Sequence, residues 1–309
     1  MANGKNSADQ HDGGDYLSYG LLAILIVCFG ATFYFTALGL EAFSPLAVGS
    51  LRFITAAAFL LPIALITGVG LPNSLELWCW AAVLGIGTFF VPFQLVIWAQ
   101  TKLPTNVIAI FFSSIPLMLL FMSRLVFGIT ISWRKGLGLL TGSIGLILLA
   151  GPGTTAQLDG ESVVLPTLAT FLACILLASA AILIRLIPKS SPMQMNTGAL
   201  VIAAIASIPV ALFTLPGTTV STNAVIGVLC LGIISTALGQ MVRFNIIRRR
   251  GPVFLTPNGY LSAVFAVMLG VLLLDEVLAT ETLIASGIIL FGVLIAQDGT
   301  GNMNKLDDA

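Results

Sequence analysis

The sequence predicts an all-α integral membrane protein of ten transmembrane helices, arranged as two five-helix repeats of opposite orientation. Three observations carry that prediction. Of the 309 residues, 58% are hydrophobic and only 8% charged, against about 25% charged in an ordinary soluble domain; with a mean hydropathy of +1.06, lipid is the main solvent. Apolar runs close to the roughly 20 residues needed to cross a bilayer recur along the chain, each bounded by turn residues. One constant offset of 147 residues then superimposes the second half on the first without a gap.

The spans follow in order. In the first half they cover Leu17–Leu40, Leu46–Ile66, Leu77–Trp98, Asn106–Phe127 and Gly136–Ala150, with breaks at Ser44-Pro45, Leu71-Pro72-Asn73, Leu103-Pro104 and Ser132-Trp133. In the second half they cover Leu165–Ile187, Met193–Phe213, Ala224–Asn245, Val253–Leu274 and Leu283–Ala296. The offset pairs Ser44-Pro45 with Ser191-Pro192, Pro62 with Pro209, Leu84-Gly85-Ile86 with Leu231-Gly232-Ile233, Thr88 with Ser235, and Gly145 with Gly292. A single match between apolar segments is cheap; one register kept from the second span to the tenth is not. Because five is odd, the two copies must face opposite ways.

The expected organisation is a polar cytoplasmic tail over residues 1–16, a first repeat over 17–150, a linker over 151–164, a second repeat over 165–297 and a second tail over 298–309. The first tail holds one Lys, three Asp and one His, without the basic-then-apolar order of a signal peptide. Orientation follows from the bias of Lys and Arg toward the cytoplasm. With both termini inside, that side receives Lys5, Arg124, Arg134, Lys135, Arg185, Lys189, Arg243, Arg248, Arg249, Arg250 and Lys305, and the other only Arg52 and Lys102.

Composition also excludes classes. Formal net charge is zero and the basic residues form no stripe, so no nucleic acid is expected as partner. Cys28, Cys79, Cys174 and Cys230 lie far apart with no CxxC spacing, so no metal and no cofactor are expected. The only histidine is His11 in the tail, no HExxH occurs, and no predicted span contains an acid to serve as base. No catalytic residue, and hence no enzyme, is expected.

An ionisable residue inside a span is a functional candidate by default. No Asp, Glu, His or Lys lies within the ten spans; Arg124, Arg185 and Arg243 sit near cytoplasmic ends where they can snorkel. Arg52 differs. It lies about two turns into the second span and needs a partner or a wet cavity, so it reads either as structural or as the contact for an anionic group. The uncharged candidates for a central cavity are Tyr34, Gln94, Trp98, Ser113, Gln240, Asn258 and Tyr260, with Ser114 beside Ser113. Each alone is equally readable as hydrogen-bonding glue between helices. Gln94 and Gln240 occupy nearly equivalent places in the repeats, and Pro257-Asn258-Gly259 predicts a break inside the ninth span, the kind of interruption that exposes backbone groups to a solute.

Here the chain resembles the drug/metabolite transporter superfamily, specifically its EamA-type members. The resemblance rests on Phe29-Gly30 in place of the family's Trp-Gly pair, Pro45, Arg52-Phe53, Pro116, Gly138, Gly145, Glu276 in Leu274-Asp275-Glu276, and Gly292. Ile129 stands where the first repeat's glutamate would be. The resemblance implies alternating access by two inverted bundles around a cavity, in a bacterial inner membrane, with a small-molecule substrate exported or exchanged. The preferred substrate class is amino-acid-like, its carboxylate meeting Arg52 and its apolar part the aromatic side chains. Without carboxylates in the spans, movement by facilitated diffusion or exchange is expected rather than proton coupling. The alternative is a membrane scaffold that transports nothing.

Overall fold

The computed structural model describes residues 6–68, 70–128, 163–188, 190–215, 220–250, 256–275 and 280–297, together with positions 133, 136–138, 140, 141 and 144. Among them every regular element is helical. The helices are α1 (Asn6–Gly30), α2 (Thr32–Leu40), α3 (Pro45–Ile66), α4 (Leu75–Leu84), α5 (Val91–Gln100), α6 (Thr105–Ser113), α7 (Ile115–Phe127), α8 (Val164–Leu186), α9 (Pro192–Thr214), α10 (Thr222–Cys230), α11 (Gly239–Arg250), α12 (Thr256–Leu273) and α13 (Thr280–Gln297). Two π-helical segments, Gly85–Phe90 and Leu231–Leu238, join α4 to α5 and α10 to α11. Six stretches among the described residues are long and apolar enough to cross a membrane, from Tyr16–Leu40 to Thr222–Arg243. Most of the predicted fifth span, including Gly142 and Gly145, residues 151–162 of the linker and the C-terminal tail lie outside the described residues, as does Glu276.

Local chemistry sets the helix ends. A helix leaves its first N–H groups without partners, and a serine at the cap supplies an acceptor. Ser44 accepts from the Ala47 N–H at 3.3 Å, Ser74 from Leu77 at 3.3 Å and Ser221 from Ala224 at 3.2 Å. Proline opens α3 and α9, where its missing N–H costs nothing. Gly128, at φ 66°, closes α7 and donates to the Arg124 carbonyl; a left-handed residue here is cheap only for glycine.

The 147-residue register reappears in three dimensions. Ser74 and Ser221 cap equivalent helices, α3 and α9 each carry one internal proline, Pro62 and Pro209, and the two π segments fall at matching positions. Contacts between the halves are reciprocal. A Cβ on Gly85 would strike the Ala199 carbonyl, and a Cβ on Gly232 would strike Thr55 and approach the Arg52 carbonyl at 2.9 Å. Those pairs exchange under the offset, since 85 corresponds to 232 and 52 to 199.

The buried clusters obey the same exchange. Phe53, Ala56 and Ala57 on α3 pack on Leu200, Ala203 and Ala204 on α9, each the offset partner of one in the other set. On one flank Leu77, Ala81 and Leu84 meet Met195; on the other Ala224, Val228 and Leu231 meet Val48. Small residues at the centre let the two backbones approach, which is how helices associate where lipid removes the hydrophobic incentive.

Helix α1 begins at Asn6, ahead of the apolar stretch that starts at Tyr16; once the apolar span nucleates a helix, adding residues needs no second nucleus. Two expectations are corrected. Among the described residues the ninth span is not broken: helix α12 runs continuously from Thr256 to Leu273, with Pro257, Asn258 and Gly259 in its first described turn, where proline is tolerated. The interruptions fall instead at Ala31 in the first span and at Ser114 in the fourth. At Ser114 the cause is legible: Pro116 cannot donate to the carbonyl four residues earlier, and the Ser114 hydroxyl turns back onto the Phe111 carbonyl at 2.6 Å.

Candidate functional site

Arg52 stands on α3 where the two halves meet, and is only 4% exposed. A guanidinium in that position needs hydrogen bonds and a polarisable surface, because desolvating an unpaired charge costs several kcal/mol, on the order of 3 to 5. Its Nε donates to the Thr236 hydroxyl at 2.7 Å. Thr236 lies in the second π segment, and its own hydroxyl proton goes to the Leu231 carbonyl at 2.9 Å, which leaves a lone pair for Arg52. The guanidinium carbon lies 3.9 Å from the centre of the Phe93 ring and 5.9 Å from that of Phe53. A cation over an aromatic face is held by the ring quadrupole. Arg52 therefore ties the first half to the second through Thr236, and no carboxylate takes part in that tie.

Gln94 follows Phe93 and is also buried. Its Nε2 donates to the Ser50 hydroxyl at 3.2 Å and to the Leu46 carbonyl at 3.5 Å. Its Oε1 is buried with no donor. Gly49 makes room for this amide, for a Cβ there would strike Oε1. Two further buried polar atoms in the second half lack partners, Asn196 Nδ2 and Ser235 Oγ; each such group forfeits about 1 to 3 kcal/mol.

Arg52 and Gln94 are thus brought into one neighbourhood through Ser50 and Phe93. The remaining candidates stand apart from it by varying amounts. Gln240 is half-buried on α11, one turn beyond Thr236. Trp98 is half-buried one turn beyond Gln94 and packs on a cluster containing Phe33 and Phe111. Tyr34 is half-buried on α2, its ring 5.7 Å from Phe35. Asn258 is half-buried, and its Oδ1 accepts from the Ser262 hydroxyl of the same helix at 3.2 Å. The side chains of Ser113 and Tyr260 lie outside the described residues.

Sequence reasoning passed over Ser50, Phe93, Thr236, Asn196 and Ser235. A signal existed: the offset pairs Phe93 with Gln240, Thr236 with Phe89 and Arg52 with Ala199, so polar character alternates between copies where the repeat is otherwise kept.

The sequence pattern of the EamA-like transporter family matches residues 17–151 and matches again at residues 165–296. The chain belongs to the EamA-like transporter family. The transporter is 30% identical over 281 residues to "Protein PecM" of Dickeya dadantii, covering 87% of this chain and 88% of that protein. It is 26% identical over 290 residues to "Uncharacterized inner membrane transporter YedA" of Escherichia coli K12, covering 91% and 90%. An "Uncharacterized transporter" of Archaeoglobus fulgidus is 24% identical over 89% of this chain and 96% of its own. One solved crystal structure, 20% identical, superposes with a TM-score of 0.66 over 91% of this chain and 96% of that one; it speaks for the fold alone. The transporter is accordingly an integral membrane protein with a duplicated EamA domain, in the drug/metabolite transporter superfamily, and a small molecule is its cargo.

Proposed function

We propose that this transporter moves a small amphipathic, amino-acid-like metabolite by alternating access, as an exporter or exchanger in a bacterial inner membrane. Ten spans form two inverted five-helix repeats, with both termini cytoplasmic. The observation that carries the substrate reading is Arg52: a buried cation at the junction of the halves whose partners are a hydroxyl and an aromatic ring, not a carboxylate. A carboxylate on the solute offers the guanidinium a charge-assisted partner stronger than a neutral hydroxyl. By competing with Thr236 it loosens the tie between halves, so that binding favours rearrangement. A ligand shifts such an equilibrium only by its differential affinity for the two states, and the Arg52–Thr236 bond is a difference of that kind.

Two features support the inverted arrangement. Contacts between the halves exchange under the 147-residue offset, as a two-fold axis requires, and a repeat with an odd number of spans must be entered from opposite sides. Gln94, Gln240, Tyr34, Trp98, Ser113, Asn258 and Tyr260 are the remaining residues we assign to the cavity.

Thermal unfolding of the detergent-purified protein against amino acids, nucleosides, sugars and polyamines tests the substrate class, since a ligand of the native state raises its stability. Amino acids are expected to raise the midpoint, and Arg52→Gln to abolish that rise while the protein still unfolds cooperatively. Unchanged stabilisation and unchanged transport in Arg52→Gln would remove the anchor.

A further inference from the structure

The second half of the molecule is polar where the first is sealed. Under the 147-residue offset, Gln240, Arg243 and Asn258 take the places of Phe93, Val96 and Phe111. In the first half Val96 and Phe111 are buried in one apolar cluster with Phe33 and Ile108. In the second half all three positions are only half-buried.

The helices bring these three positions together. Thr236, Gln240 and Arg243 recur at i, i+4 and i+7 and so share one side of their span, the side on which Thr236 meets Arg52. A Cβ on Gly239 of α11 would strike the Phe29 ring, and one on Gly30 would approach the Ser262 carbonyl of α12 at 2.9 Å. Both α11 and α12 therefore lie against α1 at the depth of Phe29 and Gly30. Arg243 is one turn after Gly239 and Asn258 one turn before Ser262. In consecutive, antiparallel spans both fall one turn to the same side, which is the cytoplasmic side in the orientation proposed above.

Their polar groups are donors in want of an acceptor. Among the described residues neither Arg243 nor Gln240 makes a side-chain hydrogen bond, an ion pair or a ring contact. Asn258 commits its Oδ1 to the Ser262 hydroxyl at 3.2 Å, which leaves Nδ2 to donate. Unlike the enclosed Asn196 Nδ2 and Ser235 Oγ, these donors keep accessible surface. A half-desolvated guanidinium beside two amide donors suits an oxyanion, which takes the planar fork two bonds at a time.

We propose that Gln240, Arg243 and Asn258 form a second anion subsite, at the cytoplasmic end of the path to Arg52, that takes a carboxylate on Arg243 with the two amides beside it. The site deepens the transport reading, on which its role as a station for the solute rests, and makes Arg243 a binding residue instead of one that snorkels. The phosphate of an anionic lipid carries the same oxyanion chemistry.

The test reads the electrostatics and occupancy of the subsite without turnover. Gln240→Cys is the reporter, with the exposed Cys79 and half-buried Cys230 changed to serine, and its modification by anionic and cationic methanethiosulfonates is timed in detergent. The anionic reagent is expected to react faster, and Arg243→Gln to lower the anionic-to-cationic rate ratio on the order of tenfold, as loss of a focused charge does; Arg243→Lys is expected to keep it. Butyrate is expected to slow labelling several-fold and butylammonium to leave it unchanged. Butyrate protection that survives Arg52→Gln and disappears in Arg243→Gln separates this subsite from the central anchor, so either can fail alone. Protection by butyrate in detergent assigns the oxyanion to a solute; slower labelling in nanodiscs of phosphatidylglycerol than of phosphatidylcholine, with nothing added, assigns it to lipid. An inert cysteine, a rate ratio indifferent to Arg243→Gln, equal protection by butylammonium, or protection by neither oxyanion overturns the proposal.

Discussion

At the scale of single residues, the contrast between Thr236 and its neighbour Ser235 is instructive. Both are hydroxyls buried in the same π segment, yet one accepts from Arg52 and the other has no partner. Hydrogen bonds contribute modestly when made, but stranding a buried donor costs its full desolvation. Thr236→Val keeps the shape and strands the Arg52 Nε, so it is expected to destabilise by about 1 to 3 kcal/mol. Ser235→Ala removes an unsatisfied group in a space that changes little, and is expected to be neutral within about 0.5 kcal/mol or slightly stabilising. Thermal unfolding of the two variants beside the parent protein checks both; equal losses would mean that the Arg52 contact contributes nothing. The same residues mark what sequence could not reveal about the site. Arg52 and Gln94 were visible because charge and amide are rare in apolar runs. Phe93 and Thr236 were not, because a phenylalanine or threonine in a membrane helix is ordinary until a partner from the other half of the chain is known.

At the scale of elements, helices were legible and their irregularities were not. The described spans start and stop within a few residues of the predicted ends, because proline and serine mark those ends chemically: Ser44-Pro45, Ser191-Pro192, Ser74 and Ser221 all appear as caps or first turns. The π segments carry no comparable mark. They coincide with Gly85 and Gly232, where a helix of one half approaches the backbone of the other, a tertiary condition. The proline that looked like a break, Pro257, falls in a first turn, while Pro116 accompanies a real one at Ser114. A proline in sequence announces a missing donor without saying whether a helix needed it. The paired caps offer a test of the repeat at this scale. Ser74→Ala and Ser221→Ala each remove one acceptor from equivalent helix starts, and each is expected to cost about 1 kcal/mol. Their effects are expected to add, since the caps share no partner. Unfolding of the single and double variants measures this, and a double variant no worse than either single one would show that the two starts are coupled.

At the scale of the whole molecule, the distribution of charge constrains the energetics of transport. The ten predicted spans contain no Asp, Glu, His or Lys, and proton relays through membranes run on such groups because their protonation can change within reach of physiological pH. Arginine cannot substitute, being protonated across the accessible range in water. On the reading proposed above, the buried Arg52 acts as a fixed charge, one that an anionic solute neutralises on its way through but that does not itself carry a proton across. A cycle built on such a centre returns most readily when reloaded, as an exchanger does, since an empty site leaves the guanidinium with a neutral hydroxyl, Thr236, and the rings of Phe93 and Phe53. Proteoliposomes preloaded with substrate are expected to take up labelled substrate faster than empty ones, and an imposed proton gradient of either sign is expected to leave the initial rate unchanged. If uptake rises steeply with an inward gradient while preloading has no effect, a titrating group must lie on the path. The glutamates flanking the spans, Glu41, Glu76, Glu276 and Glu281, would then be the first to replace by glutamine.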